Sequence, residues 1–401
     1  MSKSTFFTGQ PIFNQVLNFI PRSMVNSVTV ECQSDRYCKY FKTYEHLVTM
    51  LYAIFNQCTS IREVTTGLLA WEKRILHLGI NHHPRRSTLS DANKRRSHEV
   101  FEKVYFKLLK RYQPFFPDSR KKNNVYLFDS TSIALFQEIL KGSGLSKSDG
   151  RRKGGIKVHT LLNARQDVPT MIRYSPSAGN DTQFLKEVQL PAGSVIVFDK
   201  GYRDYSTYNR FEKQKITWVT RHKDNSIYKI KEKRAVTAYH AQHGVVTDWL
   251  IELGHHHSKK ATKVKARMVG FTEPKTKKHF VFLTNNLVLS PLTIANYYKQ
   301  RWQIETFFKR IKQNYPLQYF LGDNENAIKI QIWCALIADL VLKIIKQGTR
   351  CTMSFSNIVG LVRLHLMTYL SLKDFLRAPE KSLLKRVQKD AEYYNPSLFP
   401  T

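Results

Sequence analysis

The sequence predicts a mixed α/β fold with helical segments on either side of it, and three observations carry that prediction. Two short apolar runs, Val125-Tyr126-Leu127-Phe128 and Val195-Ile196-Val197-Phe198, are rich in β-branched and aromatic residues, and each ends in an aspartate. Around them strands cluster first and helical spacing is interleaved later, as in a layer where helices cover a sheet. Residues 222–284 then change texture to short alternating runs separated by polar, basic turns, which reads as a β-rich insertion. The expected organisation is a helical N-terminal domain over 1–118, a core in two parts (119–221 and 285–350), the insertion over 222–284, and a helical C-terminal segment over 351–401.

In chain order, Phe13, Val16, Leu17, Phe19 and Ile20 recur at helical spacing up to Pro21. Residues 46–55 form a second apolar helix, and Ile61, Val64, Leu68 and Leu69 mark a third over 60–69. After Pro84, Ser87 or Ser90 can cap a helix that carries Asn93, Lys94, Arg95 and Arg96 near its start. Polar and cationic side chains on the first turns of a helix suit phosphate or groove contact, so Arg95 and Arg96 are candidate DNA contacts; an ordinary solvated face reads the same way.

Pro114, Pro117 and Arg120-Lys121-Lys122 mark a boundary. The loop over 141–155, dense in Gly, Ser and Lys with Arg151-Arg152-Lys153 inside it, is a phosphate contact or a mobile surface loop. Alternation over 156–162 suggests a strand containing Lys157 and His159. Further strands are expected over 171–174 and 217–221, with helices over 181–190 and 202–214. Within the insertion the runs 228–230, 245–247, 249–251, 266–270 and 280–283 read as strands. Residues 327–345 are strongly apolar and suit a core helix packed on the sheet, since Lys329, Asp339 and Lys343 interrupt any membrane reading. The end after Asn395 is loose.

The chemistry concentrates in 298–312, a stretch without Gly or Pro and therefore helical. At about 100° per residue, Tyr298, Arg301, Glu305 and Lys312 fall in a stripe about 60° wide. Ile304, Phe307, Phe308 and Ile311 occupy a separate side that can be buried. A solvated face with an Arg301–Glu305 pair at i,i+4 explains the stripe equally well unless other elements supply partners. Asp129 and Asp199, at the ends of their strands, are such partners, which makes three carboxylates on three rigid elements. Magnesium favours oxygen ligands. Two such ions held by three carboxylates activate an attacking oxygen and stabilise a leaving oxygen at phosphorus. Arg301 and Lys312 then fit as phosphate ligands, and Tyr298 as a hydrogen-bond donor.

Composition points the same way. Lys and Arg outnumber Asp and Glu 64 to 31, a formal charge of +33 that calls for a polyanionic partner, foremost nucleic acid. Anionic membrane is disfavoured because there is no long apolar span, signal-peptide pattern or basic amphipathic leader, so the cytosol or nucleoid is expected. The five cysteines lack the paired spacing of a zinc site and read as free thiols. His255-His256-His257 adjoins Ser258-Lys259-Lys260 and reads as a solvated loop.

Tyr298-x2-Arg301-x3-Glu305-x6-Lys312 resembles the YREK signature of bacterial insertion-sequence transposases of the DDE class, the group that includes the cut-and-paste transposon-five enzyme. Asp129 in Phe-Asp-Ser-Thr and Asp199 in Phe-Asp-Lys-Gly-Tyr resemble that family's two aspartates. Lys157-x-His159, Asp181 and the Thr284-Asn285 junction also resemble its pattern, and the similarity covers most of 11–350. The resemblance implies a ribonuclease H-like core, Asp129, Asp199 and Glu305 as metal ligands, and two Mg2+ ions with Mn2+ as a substitute. It implies an N-terminal domain that binds terminal inverted repeats, hydrolysis at transposon ends, and attack of the freed 3′-hydroxyl on target DNA within a synaptic homodimer. Relatives of transposon five also pass through a hairpin with an extruded base; no motif here identifies the residue that holds such a base, and Trp249 is a candidate that core packing explains as well. Two rivals remain: a non-catalytic DNA-binding protein derived from a mobile element, and a nuclease or relaxase with a tyrosine nucleophile. The second wants two histidines flanking an apolar residue on a strand, a pattern His255-His256-His257 lacks.

Overall fold

The computed structural model describes residues 9–117, 124–134, 145–146, 152–153, 155–176, 182–254 and 262–384. The Arg120-Lys121-Lys122 run, most of the 141–155 loop, Asp181, His255-His256-His257 and the end after Asn395 lie outside them. The chain forms two units, one of Met1–Phe115 with Arg310–Thr401 and one of Phe116–Lys309. The residues 285–350, expected to act as one piece, are thus divided between them.

The first unit is helical. Its Thr43–Phe55 helix is buried along almost its whole length, and the Glu45 carboxylate accepts from the Lys42 backbone N–H at 3.0 Å to close the first turn. Ser60 caps the Ile61–Ala70 helix by accepting from the Glu63 N–H at 3.2 Å. Asn324 does the same for Ala327 at 2.8 Å and starts the helix Glu325–Thr349. That helix packs on Thr43–Phe55 and on the helix Glu99–Arg111, which corrects the expectation of a helix lying on the sheet. All-round apolarity requires burial but does not choose the partner. The buried carboxylate inside it is paired: Asp339 meets Arg310 at 3.2 Å and Lys343 at 3.4 Å.

The helix Arg86–Arg95 starts at an N-cap, Arg85, that makes no side-chain cap, so Ser87 and Ser90 lie inside it. Asn93 to Arg96 therefore sit at its end, not on the first turns where free backbone N–H groups favour phosphate. Arg96 is buried, and Nη2 donates to the Phe41 carbonyl at 3.0 Å and the Asp35 carboxylate at 3.3 Å. Its assignment as a DNA contact is corrected: it ties the helix end to the 34–41 segment. Arg95 is exposed.

The second unit is built on one nine-stranded sheet. In chain order its strands are β1 (Val125–Ala134), β2 (Gly155–Asn163), β3 (Val168–Pro176), β4 (Val195–Phe198), β5 (Thr217–Arg221), β6 (Tyr228–Lys233), β7 (Val245–Leu253), β8 (Val264–Thr272) and β9 (His279–Thr284). The order across the sheet is β3-β2-β1-β4-β5-β9-β8-β7-β6. The strands of 222–284 therefore continue the sheet, because β9 pairs antiparallel with β5. Asn285 seals that join, accepting from the Trp218 N–H and donating to the Ile216 carbonyl, both at 2.9 Å.

One sheet face buries Tyr126, Phe128, Ile196, Phe198 and Trp218 against Phe184, Tyr208 and Phe211, whose helices cover it. The helix Pro291–Gln300 packs against β4, β5, β9, β8 and β7. Residues 245–253 form one strand where two were expected, and Asp248 between the two runs is no break. Its carboxylate accepts a two-bonded grip from Arg267, Nε and Nη2 each at 2.7 Å, with both side chains buried. We predict that Asp248→Ala, which strands the Arg267 guanidinium, costs about 3–5 kcal/mol in chemical denaturation, whereas an apolar replacement of both residues costs far less. A loss for Asp248→Ala below about 1 kcal/mol shows instead that solvent screens the pair.

Candidate active site

β1 and β4 pair in parallel with Val125 opposite Val195 and Phe128 opposite Phe198. The next residues are Asp129 and Asp199, so the register sets the two aspartates side by side on neighbouring strands, roughly 4.8 Å apart at the backbone. Because Phe128 and Phe198 fill the core on one face, both carboxylates emerge on the other. Asp129 ends only the parallel pairing; β1 runs on to Ala134 against β2, which holds this aspartate in mid-strand. Asp199 leads into a turn in which the Tyr202 N–H donates to its carbonyl at 3.1 Å.

The 298–312 stretch is two helices, not one. Pro291–Gln300 ends at Arg301, and Trp302–Asn314 begins directly after it. The joint has a local cause: Arg301 N–H donates to Tyr298 at 3.0 Å and Ile304 N–H to Arg301 at 3.2 Å, three-residue bonds that tighten the helix. Tyr298, Arg301 and Glu305 still converge on the aspartates. The Tyr298 hydroxyl donates to Asp199 Oδ1 at 3.2 Å. Arg301 bridges Asp129 Oδ2 through Nη1 at 3.1 Å and Glu305 Oε1 through Nη2 at 2.7 Å. The i,i+4 pair is present, and Asp129 supplies the partner from another element that a solvated face would lack.

Electrostatically the site is strained toward negative charge. Burial pushes the Asp129 carboxyl up to about 6; the Ser130 N–H at 2.8 Å and Arg301 pull it down, and Asp199 and Glu305 push it up. The salt bridge and the shift point in opposite directions, and burial wins. Burial likewise pushes the Tyr298 hydroxyl up to about 12, so it stays a donor. Among the described residues no group of three or more His, Cys, Asp or Glu is set to hold a metal ion as it stands. The guanidinium of Arg301 occupies the position of a shared cation between Asp129 and Glu305, and the donors are carboxylate oxygens, the chemistry that suits Mg2+.

Other expected site residues lie elsewhere. Lys157 and His159 pair with Ser132 and Ser130, on the sheet face opposite Asp129. His159 is fully buried, stacked on Phe184 at 4.0 Å and bonded to Ser175 Oγ at 2.8 Å, so its assignment as a DNA contact is corrected to a packing role. Lys157 shares that face, away from the carboxylates. Lys312 is exposed on the part of its helix that belongs to the first unit. Trp249 packs against the sheet core. Trp302, 63% exposed directly after Arg301, has that guanidinium 5.7 Å from its ring, so an aromatic face stands beside the site that no part of the helix pattern singles out.

A family model described as a transposase DDE domain matches residues 120–339, and one described as a domain of unknown function matches residues 8–81. A protein of Sinorhizobium fredii named as a transposase is 31% identical over 70% of this chain and 76% of its own length. One of Synechocystis named for insertion sequence element IS4SA is 28% identical over 65% of this chain and 71% of its own length. A solved piggyBac transposase synaptic complex with hairpin DNA covers 100% of this chain and 87% of that chain at 11% identity and a TM-score of 0.43.

The raised Asp129 carboxyl makes stability depend on pH. Raised from 3.8 to about 6, this carboxyl contributes stability that is fully present below pH 3.8 and lost as the pH rises through about 6. Asp129→Asn, which does not titrate, is therefore expected to melt above the parent at pH 7 in EDTA, with the difference vanishing toward pH 4. A difference that grows on acidification would reverse the sign and reject the burial argument.

Proposed function

The chain belongs to the DDE transposase family, and from this we propose that it is the DNA transposase of an insertion sequence, with Asp129, Asp199 and Glu305 as its acidic triad. It cuts at terminal inverted repeats and joins the freed 3′-hydroxyls to target DNA, acting as a homodimer that holds both ends in the bacterial cytosol. The observation that carries this reading is the adjacency of Asp129 and Asp199 at the end of the parallel pairing, with Glu305 drawn to them through one guanidinium. The strand order β3-β2-β1-β4-β5, antiparallel through β1 and parallel beyond it, supports a ribonuclease H-like core. No helix among the described residues is long and apolar enough to cross a membrane.

The three carboxylates would hold two Mg2+ ions, or Mn2+, which when bound supply an activated nucleophilic oxygen and stabilise the leaving oxygen. The remaining work falls to side chains of this chain. Tyr298 keeps its proton and orients Asp199 by donating to it. Arg301 keeps Asp129 and Glu305 together, and its guanidinium carries the positive charge that a phosphate oxygen would meet beside them. Tyr298, Arg301, Glu305 and Lys312 fit the YREK pattern, with Lys312 as a second phosphate ligand.

The test is incubation with DNA flanking the chain's own gene, with Mg2+ or with Ca2+, followed by mapping of the ends. Cleavage is expected with Mg2+, and Asp129→Ala, Asp199→Ala and Glu305→Ala each slow it by about 100-fold or more while end binding persists. Retained cleavage in any of the three removes that residue from the site. Sequence-specific binding with no nicking in any metal would leave a DNA-binding protein without catalysis. Arg301→Ala and Lys312→Ala are expected to weaken cleavage or end binding, and unchanged kinetics in both would return them to a solvated face.

A further inference from the structure

The first unit carries a groove of about 1040 Å³ between the segment after the helix Arg22–Glu31 and the helix Arg86–Arg95 with the residues on either side of it. That volume lies at the top of the range of small-molecule pockets, roughly 300–1,000 Å³, so size alone does not choose the ligand and the lining must. Five Lys or Arg side chains line it against two carboxylates. One carboxylate, Glu45, is already engaged by the Lys42 N–H and by Arg22 at 3.6 Å, and Arg96 is engaged by Asp35 and Phe41. Arg36, Lys39, Arg85 and Arg95 are left exposed along the groove.

Between these cations stand rings. In Arg36-Tyr37-Cys38-Lys39-Tyr40, Tyr37 is 90% exposed and Tyr40 71% exposed. Both also line the groove. Scattered exposed apolar side chains need no explanation, but two tyrosines three residues apart, each next to a cation, form a patterned surface. Neither ring is loose: Arg36 lies over the Tyr37 ring at 5.1 Å, and His82 meets Tyr40 edge-on at 5.4 Å. Tyr37 also takes φ +65°, a left-handed conformation that costs a non-glycine residue energy and here projects its ring into solvent.

A duplex offers phosphates to the cations but keeps its base faces stacked on one another, so exposed rings gain little from it. An unpaired strand offers both phosphates and base faces, and stacking on aromatic rings is sequence-tolerant. We propose that this groove binds an unpaired DNA strand, with Arg36, Lys39, Arg85 and Arg95 on its phosphates and Tyr37 and Tyr40 stacked on its bases. The choice of DNA over RNA rests on the transposase reading; the site itself uses none of the triad.

The experiment is fluorescence anisotropy on the full chain in EDTA, with labelled oligothymidylate, a mixed-sequence duplex and oligouridylate. The parent is expected to bind oligothymidylate. Tyr37→Gly combined with Tyr40→Ala should weaken that binding by about tenfold or more and duplex binding by less than about twofold. Glycine suits the left-handed backbone at residue 37, so unchanged helical circular dichroism is expected and guards against misfolding. Tyr40→Phe keeps the ring and should bind like the parent. Arg36→Gln with Lys39→Gln should lower the salt slope by about 1.4. Binding is read in EDTA, where no strand is cut, and cleavage separately in Mg2+, so a failed triad and a failed groove are told apart. No binding by the parent, parallel loss of single strand and duplex in the tyrosine variant, or tighter binding of oligouridylate would each overturn the proposal.

Discussion

The second unit depends on the register between β1 and β4. Their paired residues are all buried, with Phe128 and Phe198 at the last matched position. A slip of one residue would turn Phe128 out of the core and drive Asp129 into it, an error that both the apolar loss and the cost of a buried charge oppose. The packing of two phenylalanines therefore fixes where two carboxylates stand. Fold stability and site geometry share one cause, since any change that loosens this register misplaces both aspartates at once.

The second constraint comes from the joint at Arg301. A continuous helix would carry Tyr298 and Glu305 past the sheet at fixed phase. The three-residue bonds on both sides of Arg301 tighten the chain where its guanidinium must reach Asp129 on a strand and Glu305 on the following helix. The Tyr298 ring lies 5.7 Å from the same guanidinium and 5.0 Å from Phe282 of β9, so the helix end is seated on the sheet by the residues that also meet the carboxylates.

Legibility in the sequence followed from what each signal encodes. Apolar runs ending in Asp129 and Asp199 were readable because a buried strand needs β-branched and aromatic residues whatever its neighbours. The Arg301 joint was not, since no Gly or Pro marks it and the cause is local backbone tightening. Alternation through Lys157 and His159 said that the two share a face, but period two cannot say which one, and the stacking of His159 on Phe184 decides it. Pro84 marks a break before Arg95 and Arg96 but not where the next helix begins; it begins at Arg86, so the two arginines close it instead of opening it. The 222–284 strands were visible one by one, yet their joining of the main sheet rests on β9 pairing with β5, a long-range contact that no local pattern contains.

Charge ties these features together. The chain carries a formal +33, which draws it to a polyanion over distances of about a Debye length. At its carboxylate site the sign reverses: Asp129, Asp199 and Glu305 bond one guanidinium and one neutral hydroxyl, a formal balance of −2 over these bonded groups when all three are ionised, with Arg221 further out at 6.0 Å from the Tyr298 ring. Burial already resists that ionisation at Asp129. A phosphate approaching such a centre meets repulsion unless further positive charge arrives with it, and oxygen donors with two negative charges to spare are what hard divalent cations take up. The acidity of this one spot within a strongly basic chain thus supports the metal-dependent reading independently of any motif.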